Sequence, residues 1–135
     1  MPVNIEWDNE AKTIIRMELV GNWTWDEAYR GAQQGYAMLE TVDHEVGVLM
    51  DLRNSKAIPS NAITHARIMI KQRHPRTGLT VFVGTTTFFT ALWNVFSRLY
   101  TLLARQQNSV FAPTMEDARR MLSAKYGVSE DKIAS

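Results

Sequence analysis

Two short segments of this chain carry residue types suited to holding an anion. The first brings Asp51, Arg53, Lys56, Ser60 and Asn61 into eleven residues, and the second is Gly84-Thr85-Thr86-Thr87. Each follows an apolar run and leads into a stretch of helical periodicity. Their polar groups therefore stand at helix N-termini, where free N–H groups and the helix dipole favour negative charge. The hydroxyls of Ser60, Thr85, Thr86 and Thr87 and the charges of Arg53 and Lys56 suit a phosphate or carboxylate ligand, or a hydroxyl that becomes phosphorylated. The same Ser, Thr and Asn residues also serve as ordinary helix caps. No Gly-rich phosphate loop with its lysine is present, which argues against a nucleotide.

Charge is unevenly spread. Residues 52–115 contain no Asp or Glu but eight cations: Arg53, Lys56, Arg67, Lys71, Arg73, Arg76, Arg98 and Arg105. Residues 1–51 hold ten carboxylates against Lys12, Arg16 and Arg30. A formal charge of +1 thus conceals an acidic first third and a basic middle, a pattern suited to an anion, an acidic partner or an oppositely charged protomer. The basic residues Arg67, Lys71, Arg73 and Arg76 read most simply as a solvated face at and just beyond helix two. Without aromatic interleaving or a binding motif they do not argue for nucleic acid.

Catalysis finds little support. Asp51, at the end of an apolar run, has no sequence-adjacent histidine or second carboxylate, and there is no nucleophile elbow. With no cysteine, and with His44, His65 and His74 lacking metal-site spacing, neither a thiol nucleophile nor a metal is expected. The expectation is a non-enzyme without cofactor, metal or catalytic residue. The absence of cysteine fits a cytoplasmic protein, no signal peptide is read at the N-terminus, and the most apolar stretch, residues 88–103, is too short and polar to span a bilayer.

The elements that must position these groups follow from periodicity. Ile5 and Trp7, then Ile15, Met17 and Leu19, alternate with polar residues around Asp8-Asn9-Glu10 and predict a hairpin. Thr24-Trp25-Asp26-Glu27 is a capping box. Trp25, Ala28, Tyr29, Ala32, Tyr36 and Leu39 then follow at helical spacing, predicting an aromatic stripe packed on the sheet. Val46 to Met50 and Leu79 to Val83 read as buried strands, with Pro59-Ser60-Asn61 capping a helix between them that runs to about Arg73, before Pro75. A long third helix follows Gly84–Thr87, then a short strand at Val110-Phe111. A fourth helix runs from Thr114 to near Tyr126, with Gly127 as its C′ residue.

The fold class is therefore α/β: a mixed, mostly parallel five-stranded sheet with four main helices and an N-terminal hairpin. Residues 1–128 form a single domain and 129–135 a frayed tail. In the third helix, Phe88, Leu92, Val95, Leu99 and Leu102 form one apolar stripe; Phe89, Trp93, Phe96, Tyr100 and Leu103 form another. The second needs its own cover: a neighbouring helix, a homodimer partner or an apolar ligand.

The element order, with Val48-Leu49-Met50-Asp51-Leu52 and the cap at Pro59-Ser60-Asn61, resembles the STAS fold of bacterial anti-anti-sigma regulators. More narrowly, Gly21-Asn22-Trp23-Thr24-Trp25-Asp26-Glu27, Asp51 to Asn54 and His74-Pro75 resemble segments of SpoIIAA-like proteins, related in fold to CRAL-TRIO lipid-transfer domains. The resemblance implies a regulatory or ligand-binding module of poorly characterised function, or a phosphoswitch acting by protein contact. In the switch proteins the acceptor hydroxyl opens helix two. The matching position here is Asn61, followed by Ala62 in place of Gly, with Ser60 one residue early. The expected site joins Asp51, Arg53, Lys56, Ser60, Asn61, Gly84, Thr85 and Thr86 to Phe89 and Trp93 of helix three, and its expected ligand is small and anionic, amphipathic or lipid-like.

Overall fold

The computed structural model describes residues 2–85 and 109–126, together with residues 90, 97, 98 and 101. Strands β1 (Val3–Trp7) and β2 (Ile14–Leu19) form the antiparallel hairpin, with Val3 opposite Leu19 and Trp7 opposite Ile15. Asn9 closes its turn, accepting from the Thr13 N–H at 3.0 Å and donating to the Thr13 hydroxyl at 2.8 Å. β3 (Val46–Asp51), β4 (Thr77–Val83) and β5 (Ser109–Ala112) add in parallel, in the order β1-β2-β3-β4-β5. The mixed sheet expected from the sequence is present, with β3 covered on both faces.

Helix α1 (Trp25–Leu39) begins with the expected capping box: the Glu27 N–H donates to the Thr24 hydroxyl at 3.2 Å, and the Thr24 N–H donates to the Glu27 carboxylate at 2.9 Å. Its packing bears out part of the expected stripe, with Trp25 and Ala28 in the cluster around Met17, Leu19 and Leu52, and Tyr36 and Leu39 in that around Ile15 and Val46. The buried positions are Ala28, Gly31, Gly35 and Leu39. A Cβ on Gly31 would lie 2.6 Å from Val3 Cγ1, and one on Gly35 2.8 Å from Ile5 Cδ1. The two glycines let the helix backbone approach the hairpin, while Trp25, Tyr29 and Tyr36 flank that contact, half-buried.

Helix α2 (Ala62–Gln72) follows β3, and Ala62 is its one buried residue. Asn61 occupies the N-cap position but makes no capping bond. Its backbone is left-handed, φ 65 and ψ 33, whereas side-chain capping works from extended geometry. Helix α3 (Met115–Tyr126) is capped by Thr114, whose hydroxyl accepts from the Asp117 N–H at 3.0 Å. It lies on the opposite face of the sheet from α1 and α2, packing Met115, Ala118 and Leu122 over Ile14, Leu49, Val81, Val83 and Ala112. Three helices are thus seen among the described residues against the four expected. Of the expected 88–103 helix only residues 90, 97, 98 and 101 are described, all helical; its dimer stripe, Thr86, Phe89, Trp93, Gly127 and the tail lie outside the described residues. No helix among the described residues is long and apolar enough to cross a membrane.

Candidate functional site

Between the sheet and the α1–α2 layer lies a cavity of about 200 Å³. Alternation along the strands aims Ile15, Met17 and Leu19 of β2, Val48 and Met50 of β3 and Phe82 of β4 at it, and Phe111 of β5 completes the floor. Trp25, Ala28, Ala32 and Tyr36 of α1 and Ala66, Met69 and Ile70 of α2 form its roof. The small residues Ala32, Gly35 and Ala66 hold that space open.

The end of the cavity near the carboxyl ends of the strands is tied by aromatic contacts. Trp23 donates its indole N–H to the Ser55 hydroxyl at 3.0 Å, and Ser55 donates to the Leu19 carbonyl at 2.5 Å. Trp25 meets Trp23 edge-on at 4.9 Å and donates to the Ser60 carbonyl at 2.8 Å. His65 of α2 stacks on Trp25 at 4.8 Å, with its Nδ1 2.8 Å from the Tyr29 hydroxyl. These contacts join α2 to α1.

The opposite end holds the few lining residues that carry polar groups. Arg73, Thr77, Thr80 and Tyr36 line it, and no carboxylate lines the cavity among the described residues. The Tyr36 ring lies 6.3 Å from that of His74, which places Tyr36 beside the α2 C-terminus. Burial pushes the Tyr36 phenol above its ordinary pKa. Ser109, paired with Thr80 across β4 and β5, has a buried hydroxyl with no hydrogen-bond partner among the described residues.

The residues expected to form an anion site are distributed differently. Asp51 points to the α3 face and is bound by Arg53: the Arg53 Nε and Nη2 donate at 2.9 Å and its backbone N–H at 3.1 Å. Burial raises the Asp51 pKa, but the hydrogen bonds and charge of Arg53 outweigh it and hold the carboxyl below its usual range. Arg53 is thus engaged by the chain's own carboxylate. Lys56 is exposed, and its backbone N–H donates to the Gly21 carbonyl at 2.9 Å. Ser60, Asn61 and Thr85 are exposed, and Gly84 is buried, its N–H 3.4 Å from the Ala112 carbonyl. Leu52 and Ile58 bring the 51–61 loop to the cavity edge.

An open concavity on the α3 face gathers Arg16, Arg53, Arg119 and Arg120. All four guanidinium groups are paired: Arg16 with Glu6, Arg53 with Asp51, Arg119 with Asp8, and Arg120 with Glu116 and Asp117. No cluster of potential metal ligands occurs among the described residues.

Sequence reading missed Tyr36, Arg73, Thr77 and Thr80 as site residues. Arg73, counted with a solvated basic face, lines the cavity. Arg76 also leaves that face, donating to the Leu39 carbonyl at 3.3 Å. The available signal was position: Arg73 directly follows α2 and precedes His74-Pro75.

No protein-family model matches the chain, and no curated protein does. Among solved structures it resembles an uncharacterised protein of the DUF3478 family from Shewanella loihica, described as having a SpoIIAA-like fold. The two share 12% identity and superpose with a TM-score of 0.61 over 89% of this chain and 91% of the other.

Proposed function

We propose that this SpoIIAA-like domain is a non-catalytic binding module that takes up a small, mainly apolar molecule between its sheet and the α1–α2 layer. The observation that carries the reading is the cavity of about 200 Å³ in a chain of 135 residues. Protein interiors hold few voids larger than a water molecule. Its lining is almost wholly apolar, so a ligand with an apolar body would lose water-exposed surface on entering it.

The test uses the intrinsic fluorescence of Trp23 and Trp25, both in the cavity wall, during titration with 1-octanol. A saturable change is expected, and Ala66→Phe, which places a ring in the cavity, should abolish it while leaving the far-ultraviolet circular dichroism unchanged. An unsaturable response, or one that survives in well-folded Ala66→Phe, would refute the site.

A second reading is regulation by protein contact, favoured by the exposure of Ser60 just before α2. Phosphate there would be stabilised by the helix N-terminus. Because Asn61 stands at the acceptor position, no stoichiometric phosphorylation of Ser60 is expected. Its appearance in a kinase assay, and its loss in Ser60→Ala, would revive the switch. Self-association through residues 88–103 belongs to the same reading, and light scattering at twice the chain mass would support it.

A further inference from the structure

We infer that the cavity selects a monocarboxylate with an apolar body of about eight carbons, its head held by Arg73 and the Tyr36 hydroxyl. This rests on the reading of the cavity as a ligand site and adds the class of ligand. Three observations carry it. Arg73 lines the cavity, is exposed to solvent, and forms no ion pair among the described residues. Glu40, the C-cap of α1, is already bound by His74 and stands 3.9 Å from Arg76. Tyr36, which also lines the cavity, makes no hydrogen bond among the described residues, and its neutral phenol, with burial raising its pKa further, presents a donor.

One guanidinium and one neutral phenol match one singly charged carboxylate. Arginine binds such a group through two parallel hydrogen bonds. A phosphate monoester, with a charge of about −1.5 to −2 at neutral pH, would exceed the single positive charge available. The body length follows from volume. An apolar cavity of about 150 Å³ holds one benzene ring, so a cavity of about 200 Å³ accommodates roughly eight carbons. A sixteen-carbon chain would leave about half its length outside.

Calorimetric titration of the intact protein with octanoate, 1-octanol, octylammonium, octyl phosphate and palmitate separates these claims. Octanoate is expected to bind at least about tenfold more tightly than octanol, the scale of a hydrogen bond to a charged group. Octylammonium should bind more weakly than either. Arg73→Gln should erase the octanoate preference while leaving octanol affinity intact, and Tyr36→Phe should reduce it severalfold. Lys71→Gln, which removes an α2 charge outside the cavity wall, should leave it unchanged.

Equal affinity for octanoate and octanol would overturn the head-group assignment while the apolar site stood. If no probe bound, both readings would fall. A preference that survived Arg73→Gln, or was lost equally in Lys71→Gln, would overturn the role of Arg73. Tighter binding of octyl phosphate would overturn the carboxylate, and tighter binding of palmitate would overturn the length limit.

Discussion

The Asp51 carboxylate is completely buried at the end of β3, while the side chain of Arg53, which binds it two residues later, remains 39% exposed. The two members of the pair therefore depend on it unequally. Removing Arg53 strands a buried charge, whereas removing Asp51 leaves a guanidinium that reaches water. Arg53→Met is expected to destabilise the fold by about 3 kcal/mol, as for breaking a buried pair. Asp51→Asn, which retains an acceptor for the Arg53 N–H, is expected to cost about 1 kcal/mol. Urea unfolding of both variants checks the order, and a reversed order would refute the asymmetry.

The same pair gives an acid dependence. The folded pKa of Asp51 lies below that of an unfolded aspartate, which titrates near about 3.9. Its stabilisation is fully present above that pH and is lost as pH falls through the lower, folded value. Urea midpoints between pH 6 and pH 2, compared in wild type and Asp51→Asn, should show a shallower acid decline in the variant.

Tyr126 governs the alkaline side. Its hydroxyl donates to Glu45 at 2.5 Å and accepts from the Leu79 N–H at 2.8 Å. Burial first, and then Glu45, push its pKa up to about 12. The neutral phenol is the form the fold favours. This stabilisation is present below the unfolded value of about 10 and is lost as pH rises towards the folded one. Tyr126→Phe should remove that limb and cost about 1–2 kcal/mol at neutral pH through the lost hydrogen bonds.

Two glycines make room for that ring. A Cβ on Gly47 would stand 2.7 Å from Tyr126 Cε2, and one on Gly78 would collide with the Tyr126 hydroxyl. Gly78→Ala is expected to cost about 1–3 kcal/mol, as for overpacking. Combined with Tyr126→Phe it should cost less than the two changes separately, because the colliding oxygen is gone. Simple additivity in urea unfolding would argue against this packing.

Helix α2 buries Ala62 alone and is held to α1 through His65, Trp25 and Tyr29. An element with so little buried area opens at lower free energy than the sheet. His65→Ala should therefore increase amide exchange across 62–72 about tenfold while β3 and β4 stay protected. Uniform acceleration would instead indicate global destabilisation.

The elements themselves were legible because their causes are local. Alternation at Ile15, Met17 and Leu19, the capping box of Thr24 and Glu27, and the apolar run from Val46 to Met50 each specify structure within a few residues. Helix faces were partly legible: the spacing of Trp25, Ala28, Tyr36 and Leu39 marked residues that do face the sheet, whereas the close approach of Gly31 and Gly35 to Val3 and Ile5 left no such signal. Asp51 and Arg53 were visible as polar residues after a strand, yet their mutual neutralisation depends on burial against α3. The cavity lay beyond linear reading, because it is a space bounded by β1–β5, α1 and α2 rather than a property of any segment. Arg73 reads as one cation in a basic stretch until the fold brings it, with Tyr36 and Thr77, into the lining of one cavity. Local sequence determined the elements and their order, while tertiary packing decided which charges were paired, which glycines were required and where an apolar molecule could fit.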